Sequence, residues 1–376
     1  MIGVGNVKVA LVHDWLTNMG GAERVVINFK EIYKDSPIYT TLYNPEKLDE
    51  ELKNIDVRTS FLQNEKNLKK GHQSLLPFMP MAFESFDLNE YDIILSSSSS
   101  CAKGVVTNPN SMHVCYCHTP MRYGWEFYYE YANNWDMKKI KRNMLKYFIN
   151  YIRVWDNVSS NRVDYFIANS QNVARRIWKH YRRESVVIHP PVRCKLFNIS
   201  DIDEDYFLIL SRLVPYKKVD LAVKAFNELG LPLVVIGDGV ERQKLESIAK
   251  DNIKFLGRQP DSVIKEYYSK CRAFLFPGDE DFGITPLEAQ ASGRPVIAFG
   301  KGGALETVVE NQTGVFFREQ TVDSLKDAVK RFEGVKFDKQ AIRKHAEEFD
   351  EEIFKEKIKS FIENSYVNFK KSFNVL

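Results

Sequence analysis

The sequence predicts an α/β protein of two domains, each a parallel sheet flanked by helices, facing each other across a cleft. Three observations predict it. Short β-branched runs alternate with helical patterns along the whole length, the alternation restarts after a Pro-Pro break at mid-chain, and 376 residues exceed what one ordinary core organises.

In the first half, strands are expected at Lys8–Val12, Asp92–Ser96, His113–His118, Tyr165–Asn169 and Ser185–Ile188. Each is short and largely apolar, as strands buried on both faces are. The run Pro190 to Asp205 combines Pro190-Pro191 with an acidic cluster ending at Asp205, so the domain boundary is expected there, with domains at 1–197 and 198–350. Strands then resume at Tyr206–Leu210, Leu233–Ile236, Lys254–Leu256, Ala273–Phe276 and Val296–Phe299. Beyond Asp338 the chain reads as terminal helices to about Phe369, and residues 351–376 are expected to cross back and pack on the first domain.

Composition narrows the class. Apolar residues at 44% and charged residues at 27% are ordinary globular values and exclude an extensively disordered chain. No run is long and apolar enough to span a bilayer, and Met1 to Asn6 lacks the features of a secretory signal, so a cytoplasmic location is expected. Cys101, Cys115, Cys117, Cys194 and Cys271 show no metal-ligand spacing and read as reduced, buried side chains. Residues 101–200 hold 16 Lys and Arg against 6 Asp and Glu, whereas the first hundred hold 10 against 14. Such a basic block suits an anionic membrane, a lipid phosphate or a nucleic acid. Within it, residues 137–153 place Met137, Ile140, Met144, Phe148 and Ile152 at helical spacing among six cations and no acid, which reads either as a membrane-facing stripe or as a core-facing one.

Four segments carry candidate chemistry. Gly20-Gly21 follows the first strand and opens a helix, a place where backbone N–H groups approach phosphate or where the turn is simply tight. Arg212 and Lys217 follow the first strand of the second domain, at the sheet edge where α/β folds bind ligands, and read as diphosphate contacts or as a solvated loop. Glu280 and Glu288 stand eight residues apart around a helix start, and Thr285-Pro286-Leu287-Glu288 also fits a capping box. Gly300-Lys301-Gly302-Gly303 forms a further glycine-rich turn that is not a P-loop, since Pro295 and Gly302 occupy positions reserved for Gly and Ser or Thr. The dinucleotide fingerprint G-x-G-x-x-G is absent from the first turn, which disfavours a dehydrogenase.

Taken in order, His13-Asp-Trp-Leu with Gly20-Gly21-Ala-Glu23, His118-Thr-Pro-Met-Arg122-Tyr123, Ser211-Arg212-Leu-Val-Pro-Tyr-Lys217, and the Glu280-x7-Glu288 pair closely resemble glycosyltransferase family 4, especially bacterial mannosyltransferase-like members. The resemblance implies a GT-B fold, two Rossmann-like domains with the nucleotide in the second and the acceptor facing the first. It implies that Arg212 and Lys217 clamp the donor diphosphate, with Gly20 and Gly21 reaching the same phosphates, and that Glu288 accepts from the ribose hydroxyls. Glu280, with the backbone of Phe282, Gly283, Ile284 and Thr285, would meet the sugar and phosphate. Arg258 would lie near the base, His118 near the anomeric carbon, and Arg122 and Tyr123 on the acceptor side.

The activity implied is retaining transfer of a hexose, mannose from GDP-mannose first and UDP-sugars as the alternative, to a saccharide or lipid-linked acceptor in cell-surface polysaccharide synthesis. No cofactor, metal or nucleic acid is expected. In such enzymes the leaving phosphate itself helps to deprotonate the acceptor. Asp279-Glu280-Asp281 superficially resembles a metal-binding Asp-x-Asp and is set aside, because Arg212 and Lys217 are available for the diphosphate charge. Two rivals remain, a nucleotide-sugar epimerase of the same fold and a non-catalytic sugar-nucleotide sensor.

Overall fold

The computed structural model describes residues 7–126 and 139–373, with side chains withheld at 139–144 and 373. The chain divides into two compact units, one of residues up to His189 together with Lys355 onward, the other Pro190–Phe354. Each unit is organised by a parallel sheet, because short apolar runs separated by helices can pair only through crossovers.

In the first unit, β1 (Val9–His13), α1 (Gly21–Ile32), β2 (Ile38–Thr40) and β3 (Val57–Thr59) come first. Two short helices, α2 (Glu65–Lys70) and α3 (Met79–Glu84), lead to β4 (Ile93–Ser98) and β5 (Met112–Cys117). Then follow α4 (Lys139–Ser159), β6 (Tyr165–Ala168), α5 (Gln171–Tyr181) and β7 (Ser185–Val187). The sheet order is β3-β2-β1-β4-β5-β6-β7, so the winding reverses between β1 and β4. Strand register sets His13 beside Ser97 at that reversal.

The second unit runs β8 (Phe207–Leu210), α6 (Val219–Leu229), β9 (Leu233–Ile236), α7 (Arg242–Ile248) and β10 (Ile253–Gly257). It continues with α8 (Asp261–Lys270), β11 (Ala273–Phe276), α9 (Ile284–Ala291), β12 (Val296–Phe299), α10 (Ala304–Thr307) and β13 (Gly314–Phe317). Helices α11 (Val322–Glu333) and α12 (Lys339–Glu347) close it, and α13 (Glu351–Phe373) returns to the first unit. Its order, β10-β9-β8-β11-β12-β13, is that of a dinucleotide-binding sheet, with the reversal between β8 and β11.

Helices start where side chains can satisfy the orphan N–H groups of the first turn: Ser170 accepts from Val173 N, Thr321 from Ser324 N, and Asp338 from Gln340 N and Ala341 N. Both faces of the second sheet are covered, by one buried cluster around Phe207, Phe226 and Phe317 and another around Phe274, Tyr268 and Leu287.

The unit boundary falls eight residues before the expected 197/198 division. Residues 190–197 are bound into the second unit: Val192 N donates to Phe349 O at 2.9 Å, Glu351 N to Val192 O at 3.1 Å, and Cys194 and Phe197 are buried against the Phe274 cluster. The Pro-Pro break is the border, and the acidic run lies inside the second unit. The return likewise begins at Lys355 rather than 351, since Glu351 is still held by Arg193 at 3.1 Å. Beyond it, α13 packs on the first unit through Lys355 to Glu31 at 2.8 Å and Phe361 edge-on to Tyr165. The short strands β2, β3 and β13 were not foreseen. Each has three or four residues, too few for a period to show, and β3 is only half-buried.

All five cysteines are buried and unbridged. Among the described residues, no helix is long and apolar enough to cross a membrane.

Candidate active site

In the second unit the polar residues gather at the carboxyl ends of β8 and β11, the neighbouring strands at the winding reversal, which is where open α/β sheets leave a crevice. A small hollow, open to solvent, is lined there by Leu210, Ser211, Lys217, Pro277, Gly278 and Glu280. Lys217 Nζ is ion-paired with Glu280 Oε1, both side chains mostly buried, and the ammonium also lies 5.3 Å from the Tyr216 ring centre. Arg212, on the same loop and exposed, donates to Tyr216 Oη at 2.9 Å. One loop thus carries two cations, Lys217 lining the hollow with Glu280 and Arg212 exposed at Tyr216, an arrangement suited to a polyanion.

The loop that carries Glu280 is fixed from behind by the second glycine-rich turn. Gly303 N donates to Glu280 O at 2.9 Å, and a Cβ at Gly303 would stand 2.1 Å from Phe282 Cα, so only glycine permits that approach. Phe282 itself is a core side chain, in ring contact with Phe349, and offers the site only its backbone. Gly283, in the left-handed region at φ 94°, leads into α9, whose first turn holds Ile284 and Thr285.

The capping-box alternative fails here. Thr285 is the second residue of the helix rather than its cap, and the Glu288 carboxylate, 4% exposed, accepts from Tyr268 Oη at 3.1 Å. Arg258 stands apart, exposed after the edge strand β10. The Asp279-Glu280-Asp281 run is engaged with lysines, Asp279 with Lys301 at 3.1 Å and Glu280 with Lys217.

In the first unit the same topological position is filled by hydrogen-bonded polar groups. His118 follows β5, its N–H donating to Ser98 O and its carbonyl accepting from Asn169 Nδ2 at 3.0 Å. Its Nε2 lies 2.8 Å from Ser97 Oγ. Burial, and then the charge of neighbouring His13, push the His118 pKa down to about 3, so the ring is neutral at physiological pH.

Gly20 caps α1 and Gly21 begins it; a Cβ at Gly20 would press to 3.0 Å from Glu23 Oε2. Tyr123 Oη shares a 2.7 Å hydrogen bond with Ser100 Oγ, which anchors it to the β4 end. Arg122 sits 3.9 Å from Glu126, which also holds Arg176.

Sequence reasoning missed the residue that organises this end. Asp14, 2% exposed, accepts from Ser99 N and Oγ at 2.6 and 3.0 Å and from Cys101 N and Ala102 N at 2.8 Å each. A carboxylate directly after a buried strand, with a run of serines at the end of another, is the signal that was available.

For the basic segment 137–153 the structure selects between the two readings where it is described. Met137 and Lys138 lie outside the described residues, as do the side chains of 139–144. Of the expected stripe, Ile152 is fully buried and Phe148 packs on the core beside it, so that face is core-facing where it is described. The exposed apolar face of α4 is instead Tyr147, Tyr151, Val154 and Val158, again at helical spacing.

Comparison with known proteins matches both halves of the chain. Residues 19–196 match Glycosyltransferase Family 4 and residues 195–349 match Glycosyl transferases group 1. A GDP-mannose-dependent alpha-(1-6)-phosphatidylinositol monomannoside mannosyltransferase of Mycobacterium tuberculosis is 35% identical over 138 residues, 32% of this chain and 36% of the relative. An alpha-1,3/1,6-mannosyltransferase of Dictyostelium discoideum is 22% identical over 375 residues, 82% of this chain and 85% of the relative. This chain spans about half or less of some curated relatives, 54% of an uncharacterized glycosyltransferase of Methanocaldococcus jannaschii and 36% of the mycobacterial enzyme. Among solved structures, Anabaena HepE in complex with UDP superposes with a TM-score of 0.70 at 17% identity, covering 95% of this chain and all of HepE. The chain belongs to glycosyltransferase family 4 and is built on two Rossmann-like units of the GT-B class.

Proposed function

We propose that this glycosyltransferase is retaining and moves mannose from GDP-mannose to a saccharide or lipid-linked acceptor in cell-surface polysaccharide synthesis, at the inner face of the cell membrane. The observation that carries the donor half is the meeting of Lys217 and Glu280 at the hollow between the ends of β8 and β11, with Arg212 exposed on the same loop as Lys217. The mycobacterial and Dictyostelium relatives support mannose. A UDP-sugar is the second reading, favoured by the UDP complex of HepE.

In the reaction, the acceptor oxygen forms a bond to the anomeric carbon as the bond from that carbon to the diphosphate oxygen breaks, on the same face. The acceptor proton passes to the departing phosphate, so no protein nucleophile takes part. Lys217 and Arg212 stabilise the charge that grows on the leaving diphosphate, without a metal ion. Glu288, held by Tyr268, receives the ribose hydroxyls, the first turn of α9 meets sugar and phosphate through its N–H groups, and Arg258 lies toward the base. Gly20 and Gly21 present backbone N–H groups to the phosphates, while His118 contacts the sugar and Arg122 and Tyr123 serve the acceptor. A peripheral contact with anionic membrane is assigned to α4 through its basic start and the exposed Tyr147, Tyr151, Val154 and Val158.

The test is a panel of GDP- and UDP-sugars with the purified protein, read by calorimetric binding and by release of nucleoside diphosphate. GDP-mannose is expected to bind and be slowly hydrolysed, giving α-mannose by NMR of the anomeric proton. Exclusive use of UDP-sugars overturns the base assignment, and β-product overturns retention. Failure of every nucleotide sugar to bind at millimolar concentration overturns the proposal.

A further inference from the structure

The roles assigned above leave out His13, Glu23 and Ser97, yet these residues and His118 form one continuous chain of contacts. Glu23 Oε1 stands 3.6 Å from His13 Nε2. His13 Nδ1 stands 3.1 Å from Ser97 Oγ and 3.2 Å from the Ser97 carbonyl oxygen. Ser97 Oγ is 2.8 Å from His118 Nε2. His13, Ser97 and Glu23 are all buried, and they come from β1, β4 and the first turn of α1.

The acceptors at the His13 end constrain that ring. A carboxylate and a backbone carbonyl accept hydrogen bonds and cannot donate them. His13 has the first at Nε2 and the second at Nδ1, so both ring nitrogens are satisfied only when both carry protons. Burial opposes that charge, but the nearby Glu23 carboxylate, with Asp14 and the Ser97 carbonyl, outweighs it and holds the His13 pKa above its ordinary value. With His13 Nδ1–H directed at Ser97, the hydroxyl accepts there, and its own proton is available to His118 Nε2, 2.8 Å away. With the bond in that direction, the single ring proton of His118 resides on Nδ1.

We propose that Glu23, His13 and Ser97 are positioning residues that lock His118 as the neutral Nδ1–H tautomer, so that it meets the sugar as a hydrogen-bond donor and not as a base. The proposal rests on the reading of His118 as a sugar contact, and it narrows the ligand chemistry. The sugar atom facing Nδ1 must be an accepting oxygen, of a hydroxyl or an ether. Glycine at position 20 belongs to the device, since a side chain there would crowd the Glu23 carboxylate.

The chain is tested in the free protein, so a wrong donor assignment does not confuse the result. Full-length protein labelled with 15N-histidine is observed near neutral pH by two-bond 1H–15N correlation, with the His118 ring assigned from the signals lost in His118→Gln. The expected wild-type pattern is a neutral ring with its proton on Nδ1, beside a doubly protonated His13. Ser97→Ala should shift His118 away from that single tautomer, and Ser97→Thr should restore it. The ring signals of His113, which contacts Ser96, and of His345, which contacts Gln290, should stay in place and report intact folding. In the transfer assay, Ser97→Ala should lower kcat by about tenfold to a hundredfold, the scale of a misaligned group, with a smaller change in donor KM. An Nε2–H tautomer in the wild type, or an unchanged His118 pattern in Ser97→Ala, overturns the proposal. A correct tautomer in a protein that transfers no sugar leaves the lock standing and removes the function assigned to it.

Discussion

The buried Lys103–Asp156 pair gives a prediction whose size follows from the structure. Both side chains are sealed, at 2% and 0% exposure. Lys103 also reaches Ser100 O at 3.2 Å, while Asp156 Oδ2 accepts from Trp125 Nε1 at 2.7 Å and Tyr181 Oη at 2.8 Å. Changing Lys103 to Met leaves those two neutral donors on one oxygen and removes the cation from the other. The carboxylate then either stays charged in a dry site, which costs roughly 3–5 kcal/mol, or takes a proton. Protonation at pH 7 from an ordinary value near 3.9 costs about 4 kcal/mol and at pH 5 only about 1.5, at 1.36 kcal/mol per unit. The deficit of the variant should therefore be about 4 kcal/mol at pH 7 and shrink as pH falls, because neutralising a buried, unpaired carboxylate costs less at lower pH. All five tryptophans, Trp15, Trp125, Trp135, Trp155 and Trp178, precede His189, so urea unfolding followed by tryptophan fluorescence reports the first unit alone. A Lys103→Met transition within about 1 kcal/mol of wild type at pH 7, or a deficit that does not shrink by pH 5, refutes the reasoning.

Lys217→Ala and Glu280→Ala should each lower transfer by about 10²–10³-fold with an unchanged circular dichroism spectrum; near-normal turnover in either folded variant removes the proposed donor site. Activity should persist in excess chelator because Arg212 and Lys217 meet the diphosphate charge, and complete loss restored by Mg²⁺ or Mn²⁺ contradicts that. Wild type should co-sediment with anionic vesicles at low salt and dissociate at high salt, whereas a variant with Lys138, Lys139, Lys141 and Arg142 changed to Gln should sediment less; equal sedimentation of the two proteins disposes of the basic contact. His113 and His118, pushed down to about 4 and about 3 mainly by burial, are depressed groups whose stabilisation is complete above pH 6.5 and lost as pH falls. Stability should accordingly drop by up to about 1.4 kcal/mol per histidine for each pH unit below 6.5, and a flat urea midpoint between pH 6.5 and 5 would contradict both shifts.

The sequence made the central strands legible because burial on both faces turns each into a short apolar block, and β9, β11 and β12 fall on the expected residues. It could not show that Lys217 and Glu280 meet. They lie 63 positions apart and become neighbours only because β11 pairs with β8 rather than with β10. The capping-box reading of Glu288 failed for a related reason: Thr285 and Pro286 carry a helix-start pattern, but Gly283 supplies the left-handed turn that starts α9 two residues earlier. The stripe of residues 137–153 stayed open between membrane and core because the basic helix has two apolar rows, and periodicity alone cannot tell the row that meets the core from the row that meets solvent. Ser97 gave no signal of its own in a run of five serines, since its importance comes from His13 beside it in register and His118 just past the end of the next strand.

The two units use the same topological position in opposite ways, and the contrast explains which polar residues sit where. At the β1–β4 reversal, carboxylate, imidazole and hydroxyl are buried and bonded to one another, so Asp14 fixes the backbone of Ser99 to Ala102 while Glu23, His13 and Ser97 fix one ring. A buried network of that kind is rigid, because any member left unpaired costs about 1–3 kcal/mol. At the β8–β11 reversal the cations are less enclosed: Arg212 is exposed, and Lys217 opens onto a hollow beside its carboxylate. An arriving diphosphate offers the Lys217 ammonium a replacement anion, so under the proposed function Lys217 can pass from Glu280 to the phosphates and free the carboxylate for sugar hydroxyls. Under the proposed function, the first unit therefore contributes a pre-set hydrogen-bond direction and the second an exchangeable charge. The first requirement demands residues that cannot move, the second residues that can, and the burial of each set follows from that difference.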